Sequence, residues 1–196
     1  MKKHLLIGAL FACVPGAALA QDTDNTGTRA DAFAGPRIEA RIGWETPTVS
    51  GDGEVYKIGQ AVSYGGEVGF DIAAGSNFVV GPYATFEFSG VDVCDDGDCL
   101  EIDNNLGLGL QAGLAASPSV LVYAKAGYAR MKISATSGGA SESESAGGLQ
   151  GGLGVELALG NSGAYGRLEA NYSDYGKFYG INLQRRHVAA AVGFRF

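Results

Sequence analysis

Of twelve charged side chains set in short alternating segments of this chain, eight stand two residues apart or a multiple of two. Arg37, Glu39, Arg41 and Glu45 form the first group. Glu67 with Asp71, and Arg167 with Glu169, repeat the spacing, and Glu87, Lys125, Glu156 and Arg195 occur singly in similar surroundings. Carboxylates beside cations can serve as general acids and bases, or they can neutralise one another as ion pairs. In every segment they alternate with apolar residues, so a period of two places them on one face of a strand. Five bases and seven acids turned toward a common interior favour a structural charge network over a catalytic pair.

Three other groups could carry chemistry. Cys94 and Cys99 flank Asp95-Asp96-Gly97-Asp98. In an oxidising compartment the expectation is a small disulfide ring. The rival is a cation loop, since Asp92, Asp96, Gly97 and Asp98 fall at EF-hand-like intervals. There Cys94 stands where a carboxylate or amide is wanted, and Asp103 replaces the usual glutamate. His187 is the single histidine beyond the N-terminal region, and Ser173 and Glu169 are partners by topology for a Ser–His–acid arrangement; a packed histidine near a strand end is the simpler reading. Gly147-Gly148-Leu149-Gln150-Gly151-Gly152 has the glycines of a phosphate loop but neither the lysine nor the following helix.

The elements that position these groups are strands. Ile38, Ala40, Ile42 and Trp44 oppose the first charged group. The second strand, Tyr64 to Ile72, sets Tyr64, Val68, Phe70 and Ile72 against Glu67, Gly69 and Asp71. The third, Phe78 to Ser89, sets Val80, Pro82, Ala84, Phe86 and Phe88 against Tyr83, Thr85 and Glu87. Pro82 removes a ladder donor, so a bulge or strand end is expected nearby. The fourth alternates Leu106, Leu108, Leu110, Ala112 and Leu114 with glycines and Gln111. The fifth, Val120 to Ile133, carries Lys125 on its polar face. The sixth carries Gln150 and Glu156, and the seventh Arg167, Glu169 and Asn171. The eighth ends the chain, with Val188, Ala190, Val192, Phe194 and Phe196 against His187, Ala189, Ala191, Gly193 and Arg195.

About ten alternating residues suffice for a tilted strand to cross a bilayer. Short turns at 74–77, 117–119 and 160–163 join strands two–three, four–five and six–seven. Long polar loops, near 46–61, 89–101, 134–146 and 174–185, join the others, and the Ser/Gly/Glu-rich 134–146 reads as a mobile, solvent-facing segment. Short inner turns with long outer loops are the layout of outer-membrane barrels. The fold expected is all-β: an eight-stranded antiparallel transmembrane β-barrel over 35–196. Its lumen is just wide enough for side chains to fill.

The ends and the composition agree with export. Lys2 and Lys3, the apolar Leu5 to Val14 and Ala18-Leu19-Ala20 have the form of a signal peptide, with 1–20 removed and 21–34 as a periplasmic lead-in. Leu10-Phe11-Ala12-Cys13 resembles a lipoprotein cleavage box, but Phe11 is bulky for it. Loss of Lys2 and Lys3 leaves 12 basic and 21 acidic residues, a charge of −9. An acidic exported chain is a poor binder of nucleic acid.

Gly35-Pro36-Arg37-Ile38-Glu39, Tyr123-Ala124-Lys125-Ala126-Gly127-Tyr128, Arg167-Leu168-Glu169-Ala170-Asn171-Tyr172 with Asp174-Tyr175-Gly176, and the final strand resemble the small eight-stranded outer-membrane proteins of the OmpA-barrel, OmpX and opacity-protein type. The resemblance covers the chain beyond the signal peptide. It implies a place in the outer membrane of a Gram-negative bacterium, among its lipids. It also implies assembly by the barrel-assembly machinery with periplasmic chaperones, which read Phe194 and Phe196 as a C-terminal signal. No peptidoglycan-binding domain is expected after the barrel. That family contains structural proteins, adhesins and a few enzymes, so the motifs specify fold better than function. A non-enzymatic surface protein acting through its outer loops is the expectation, with a narrow porin and a lipid A-modifying enzyme as alternatives. No cofactor is expected, and the sequence names no surface ligand.

Overall fold

The computed structural model describes residues 27–51, 54–95, 98–138, 140–178 and 181–196. The expected signal peptide and the first part of the lead-in, 21–26, lie outside these residues.

Eight long strands form one closed antiparallel ring: β1 (Gly35–Gly51), β3 (Ala61–Ala73), β4 (Phe78–Ser89), β6 (Asp98–Ser117), β7 (Val120–Ser137), β8 (Ala140–Ala158), β9 (Ala164–Phe178) and β10 (Ile181–Arg195). Each pairs with its neighbour in sequence order, and β1 pairs with β10, from Arg37↔Arg195 to Ser50↔Asn182, to close the cylinder. Two short strands, β2 (Glu54–Lys57) and β5 (Asp92–Asp95), stand outside the ring as hairpin partners of β1 and β6. Closure leaves no unpaired edge at membrane depth, where an unmet backbone group would be costly.

The burial pattern inverts that of a soluble protein. Ile38, Leu108, Leu153 and Val192 face outward, with Leu153 68% exposed. Arg37, Glu67, Glu156 and Arg167 face inward and are buried. Trp44, Tyr64, Phe88, Tyr128 and Tyr172 ring the outer end of the apolar surface, while Phe70, Phe78, Phe194 and Phe196 mark the end at which the chain terminates. Two aromatic girdles around an apolar band are what a bilayer selects.

Three expectations change. Most of the four long outer loops is strand. The β7–β8 ladder continues to Ser137↔Ala140, and β5 pairs with β6 from Asp92↔Glu101 to Asp95↔Asp98. The register set inside the membrane propagates outward by backbone hydrogen bonds, which need no apolar alternation once both faces meet water. The segment 134–146 is therefore a hairpin, not a loop. It carries cross-strand hydroxyl contacts between Ser134 and Ser143, 2.8 Å apart, and between Thr136 and Ser141.

Pro82 sits in mid-strand with no bulge. Pairing of β3 with β4 is interrupted between Gly69↔Tyr83 and Ile72↔Val80 and resumes in the same register. The missing amide is absorbed by a gap in one ladder, while Pro82 stays opposite Leu110 of β6. Lastly, the described part of the lead-in, 27–34, is packed against the barrel. A 3-10 turn, Asp31–Phe33, tucks beneath the barrel, held by the Ala30 amide on the Ser76 carbonyl at 3.1 Å.

Candidate functional site: the charged lumen and the outer mouth

The lumen is built by inward positions of all eight ring strands. Arg37 and Arg41 of β1 rise one above the other and meet Glu67 of β3 from two sides, at 2.7 and 2.6 Å. Lys125 of β7 and Arg167 of β9 complete a four-cation shell about Glu67, Arg167 at 3.4 Å. Glu169 accepts from Arg41 at 2.7 Å, Lys125 at 2.9 Å and the Tyr123 hydroxyl at 2.8 Å. Toward the chain termini, Arg37 and Arg195 share Asp71, each at 2.9 Å, and Glu156 joins Arg195 to Arg167. Toward the outer mouth, Arg41 holds Glu87 at 3.1 Å, Glu87 holds Arg185 at 3.0 Å, and Arg185 holds Glu45. Signs thus alternate without a break from Glu156 and Arg195 to Arg185 and Glu45.

Isolated ions here would each lack several kcal/mol of hydration, and only dense pairing offsets that loss. The described inward charges nearly balance: Arg37, Arg41, Lys125, Arg167, Arg185 and Arg195 against Glu39, Glu45, Glu67, Asp71, Glu87, Glu156 and Glu169. Neutral polar side chains fill the gaps. Gln111 accepts from Arg37 at 3.2 Å, and the Tyr165 hydroxyl donates to Glu39 at 3.1 Å. Lys125 lies 4.1 Å from the centre of the Tyr83 ring, and Arg167 lies 4.6 Å from that of Tyr123. Small inward residues make room: a β-carbon on Gly69 would stand 2.6 Å from the Arg37 guanidinium carbon.

An apolar cluster packs at each end of this column. Below, Phe33 and Ala30 of the lead-in pack with Val79, Ala115, Leu121 and Tyr123. Above, Val91, Ile102, Met131, Ile133, Tyr175 and Leu183 close the outer end. The lumen is therefore an ionic core between two apolar clusters, and beside the lower one a pocket lined by Phe33, Glu156, Tyr165 and Arg195 reaches the end of the network.

The structure assembles the inward charges named from the sequence, Arg37, Glu39, Arg41, Glu45, Glu67, Asp71, Glu87, Lys125, Glu156, Arg167, Glu169 and Arg195, in one network. It adds Arg185, which the sequence pattern placed in a loop. The signal was present as Arg185–His187 at the same two-residue spacing, but no apolar alternation extends that far up β10. Phe33 was also missed, being a single aromatic in a polar stretch.

His187 does not meet Ser173, whose hydroxyl instead donates to Gln150 at 3.3 Å. The histidine Nε2 lies 2.9 Å from the Ser63 hydroxyl and 3.8 Å from Glu87. Serine and carboxylate contend for the same ring nitrogen, whereas a nucleophilic relay needs the acid on the other one. A β-carbon on Gly43 would overlap the ring, so this glycine makes the pocket that holds His187.

Cys94 and Cys99 face each other across the β5–β6 hairpin, Cα atoms 4.1 Å apart, and are disulfide-bonded. Asp92 lies close to both sulfurs, but sulfurs joined to each other are not thiolate ligands. Asp96 and Gly97, which the cation-loop alternative requires, fall outside the described residues.

The hairpins form the accessible chemistry of the outer mouth. Above the last β8–β9 pair, Leu149↔Asp174, the ring opens: β8 continues to Ala140 paired with β7, while β9 continues to Phe178 paired with β10. The hairpin at 90–104 carries six carboxylates and no basic residue.

The sequence matches the family described as outer membrane protein beta-barrel domain over residues 6–196. No curated protein matches it. Among solved structures, it is similar to Ail, the attachment invasion locus protein of Yersinia pestis, solved in complex with the heparin analogue sucrose octasulfate. That likeness has 18% identity and a TM-score of 0.54, over 82% of this chain and 99% of that one. Neisserial surface protein A is similar at 16% identity and a TM-score of 0.54, over 81% of this chain and 97% of that one. At such identities the likeness speaks for the fold, and it agrees with the ring of eight strands and the apolar outer band. The chain belongs to the outer-membrane β-barrel domain family of Gram-negative bacteria.

Proposed function

We propose that this outer-membrane barrel is a non-conducting, non-enzymatic surface protein whose role, in envelope integrity or in attachment, is exerted by the hairpins above its outer mouth. The observation that carries the reading is the sealed lumen. An ion network spans its length between two apolar caps, so the barrel serves as an anchor and the hairpins present the working surface. Ail, of the same fold, is named for attachment and was solved with a heparin analogue. The present chain fits a different ligand charge. With six carboxylates and no base at 90–104, its mouth repels a polyanion and suits a cationic partner. Within the bilayer the barrel meets outer-membrane lipid through Ile42, Leu108, Leu153 and Val192. On its way there, Phe194 and Phe196 serve as the C-terminal signal for the assembly machinery and its periplasmic chaperones. Phe196 projects freely outward beyond the last strand pair, its ring 5.2 Å from that of Phe194.

The test uses cells lacking the gene, complemented either with the intact protein or with a variant in which 92–101 and 134–146 are replaced by short turns. Folding is checked by the gel shift between unboiled and boiled samples. The trimmed barrel is expected to fold and to leave attachment and detergent resistance at the level of the empty strain. Full restoration by the trimmed barrel would overturn the reading.

A further inference from the structure

The hairpin formed by β5 and the start of β6 has two unlike faces. Val93 and Leu100 are paired on one of them, and that face is rooted in the barrel: Leu100 packs on the outer apolar cluster, and Val93 lies against Gly59. A period of two sends Asp92, Cys94, Cys99 and Glu101 to the other face. There they stand as two cross-strand pairs, Asp92↔Glu101 and Cys94↔Cys99. Asp92, Cys94 and Glu101 are exposed, and Cys99 is half-buried. Oδ1 of Asp92 lies 3.5 Å from Cys94 Sγ, and a carboxylate oxygen of Asp92 and the two sulfurs all fall within 4.8 Å of one another. Two sulfurs and a carboxylate oxygen held this closely are a donor set for a thiophilic divalent ion. While the disulfide is intact its sulfurs are not thiolate ligands.

We propose that the reduced hairpin is a metal site of the zinc class, with the thiolates of Cys94 and Cys99 and the carboxylate of Asp92 as ligands and water in the fourth position. The inference goes beyond the surface role proposed above and does not depend on it. A dithiol supplies the electrons. Its thiolate attacks one sulfur of the bridge, its second thiol resolves the mixed disulfide, and it leaves as its own disulfide. The hairpin gains two electrons and two protons and holds two thiols. A divalent ion then displaces those two protons. Zinc holding two thiolates tetrahedrally at ~2.3 Å sets the sulfurs about 3.8 Å apart. Residues directly opposed across an antiparallel ladder have β-carbons about 4.5–5.5 Å apart. The sulfurs therefore reach that separation by side-chain rotation, and the register of the hairpin stays as it is. Charge points the same way. The segment 90–104 carries six carboxylates and no base, and a dication offsets the charge of these groups and of the new thiolates. Calcium and magnesium take oxygen ligands, so the sulfur donors select against both. The hairpin tip is closed either by the cross-link or by the metal, according to the redox state around it.

The test uses the protein purified from outer membranes in a neutral detergent, without a histidine tag. The disulfide is reduced with a phosphine, so that no added thiol competes for metal, and the phosphine is removed under argon. Cobalt(II) is the spectroscopic probe and zinc the competitor. The reduced protein is expected to take up one cobalt per chain, with a thiolate-to-cobalt charge-transfer band and the visible bands of tetrahedral cobalt. Zinc should bleach both, and calcium in excess should bleach neither. The oxidised protein and the Cys94→Ser/Cys99→Ser variant should show no charge-transfer band. Asp92→Asn should keep that band, shift the visible bands and weaken binding about tenfold. Asp103→Asn, whose carboxylate is engaged by Lys132 at 2.8 Å, should bind as the unaltered protein does. Folding of each variant is checked by the gel shift. Equal cobalt uptake by the oxidised protein, no charge-transfer band in the reduced protein, or indifference to Asp92→Asn would overturn the proposal. One cobalt for two chains would overturn it as well, since the ligands would then come from two hairpins.

Discussion

Glu67 has the most crowded charge environment among the described residues, with Arg37, Arg41, Lys125 and Arg167 all within ion-pair distance. A carboxylate so placed is worth more than one bridge, because its loss leaves four buried cations to find other partners. Glu67→Gln keeps the shape and removes the charge. It is expected to lower the free energy of unfolding by at least ~3 kcal/mol, as for a broken buried pair, measured by urea titration of the barrel in lipid vesicles. Glu87→Ala removes a carboxylate held by Arg41 and Arg185 and should cost roughly 3–5 kcal/mol, less where water enters the space. At the hairpin tip the disulfide closes a ring of few residues, so its constraint on the unfolded chain is small. Cys94→Ser/Cys99→Ser should loosen the tip, seen as faster hydrogen exchange at 92–95 and 98–101, and leave the barrel's unfolding midpoint unchanged.

At the scale of elements, the lipid-facing stripes decide the strands. Leu153 stands opposite Ala124 of β7 and Ala170 of β9, near the middle of the apolar band. Leu153→Arg should cost about 2–4 kcal/mol if that band lies in a bilayer, and far less if the surface meets water; unfolding in vesicles distinguishes the two. This stripe was the most legible part of the sequence. Leu106-Leu108-Leu110 and Val188-Ala190-Val192 alternate without fault because lipid selects one face and the ion network the other. Legibility ended where the lipid ends. Above Ile133 and Tyr175 both faces of a strand are wet, no apolar period of two survives, and residues 134–146 read as loop though they form a hairpin. Arg185 was lost with them. Pro82 misled in another way, since its cost falls on one ladder and the neighbouring strands carry the register across the gap. Phe33 was illegible because its burial depends on Leu121 and Tyr123, some ninety residues away in sequence.

For the whole molecule, the same charges that stabilise the barrel also close it. The pairings run unbroken from Arg195 and Glu156 to Arg185 and Glu45, and apolar side chains pack at both ends, Phe33 below and Met131, Tyr175 and Leu183 above. An ion crossing the lumen would have to displace a partner from nearly every cation on the way. Unboiled protein should therefore run as a compact species on a detergent gel and shift on boiling. The most direct measurement is the current through planar bilayers holding the folded, full-length protein. A sealed, self-neutralised lumen predicts no steady conductance above that of the bare membrane. Large, stable conductance steps would contradict it, showing that these side chains line an open pore.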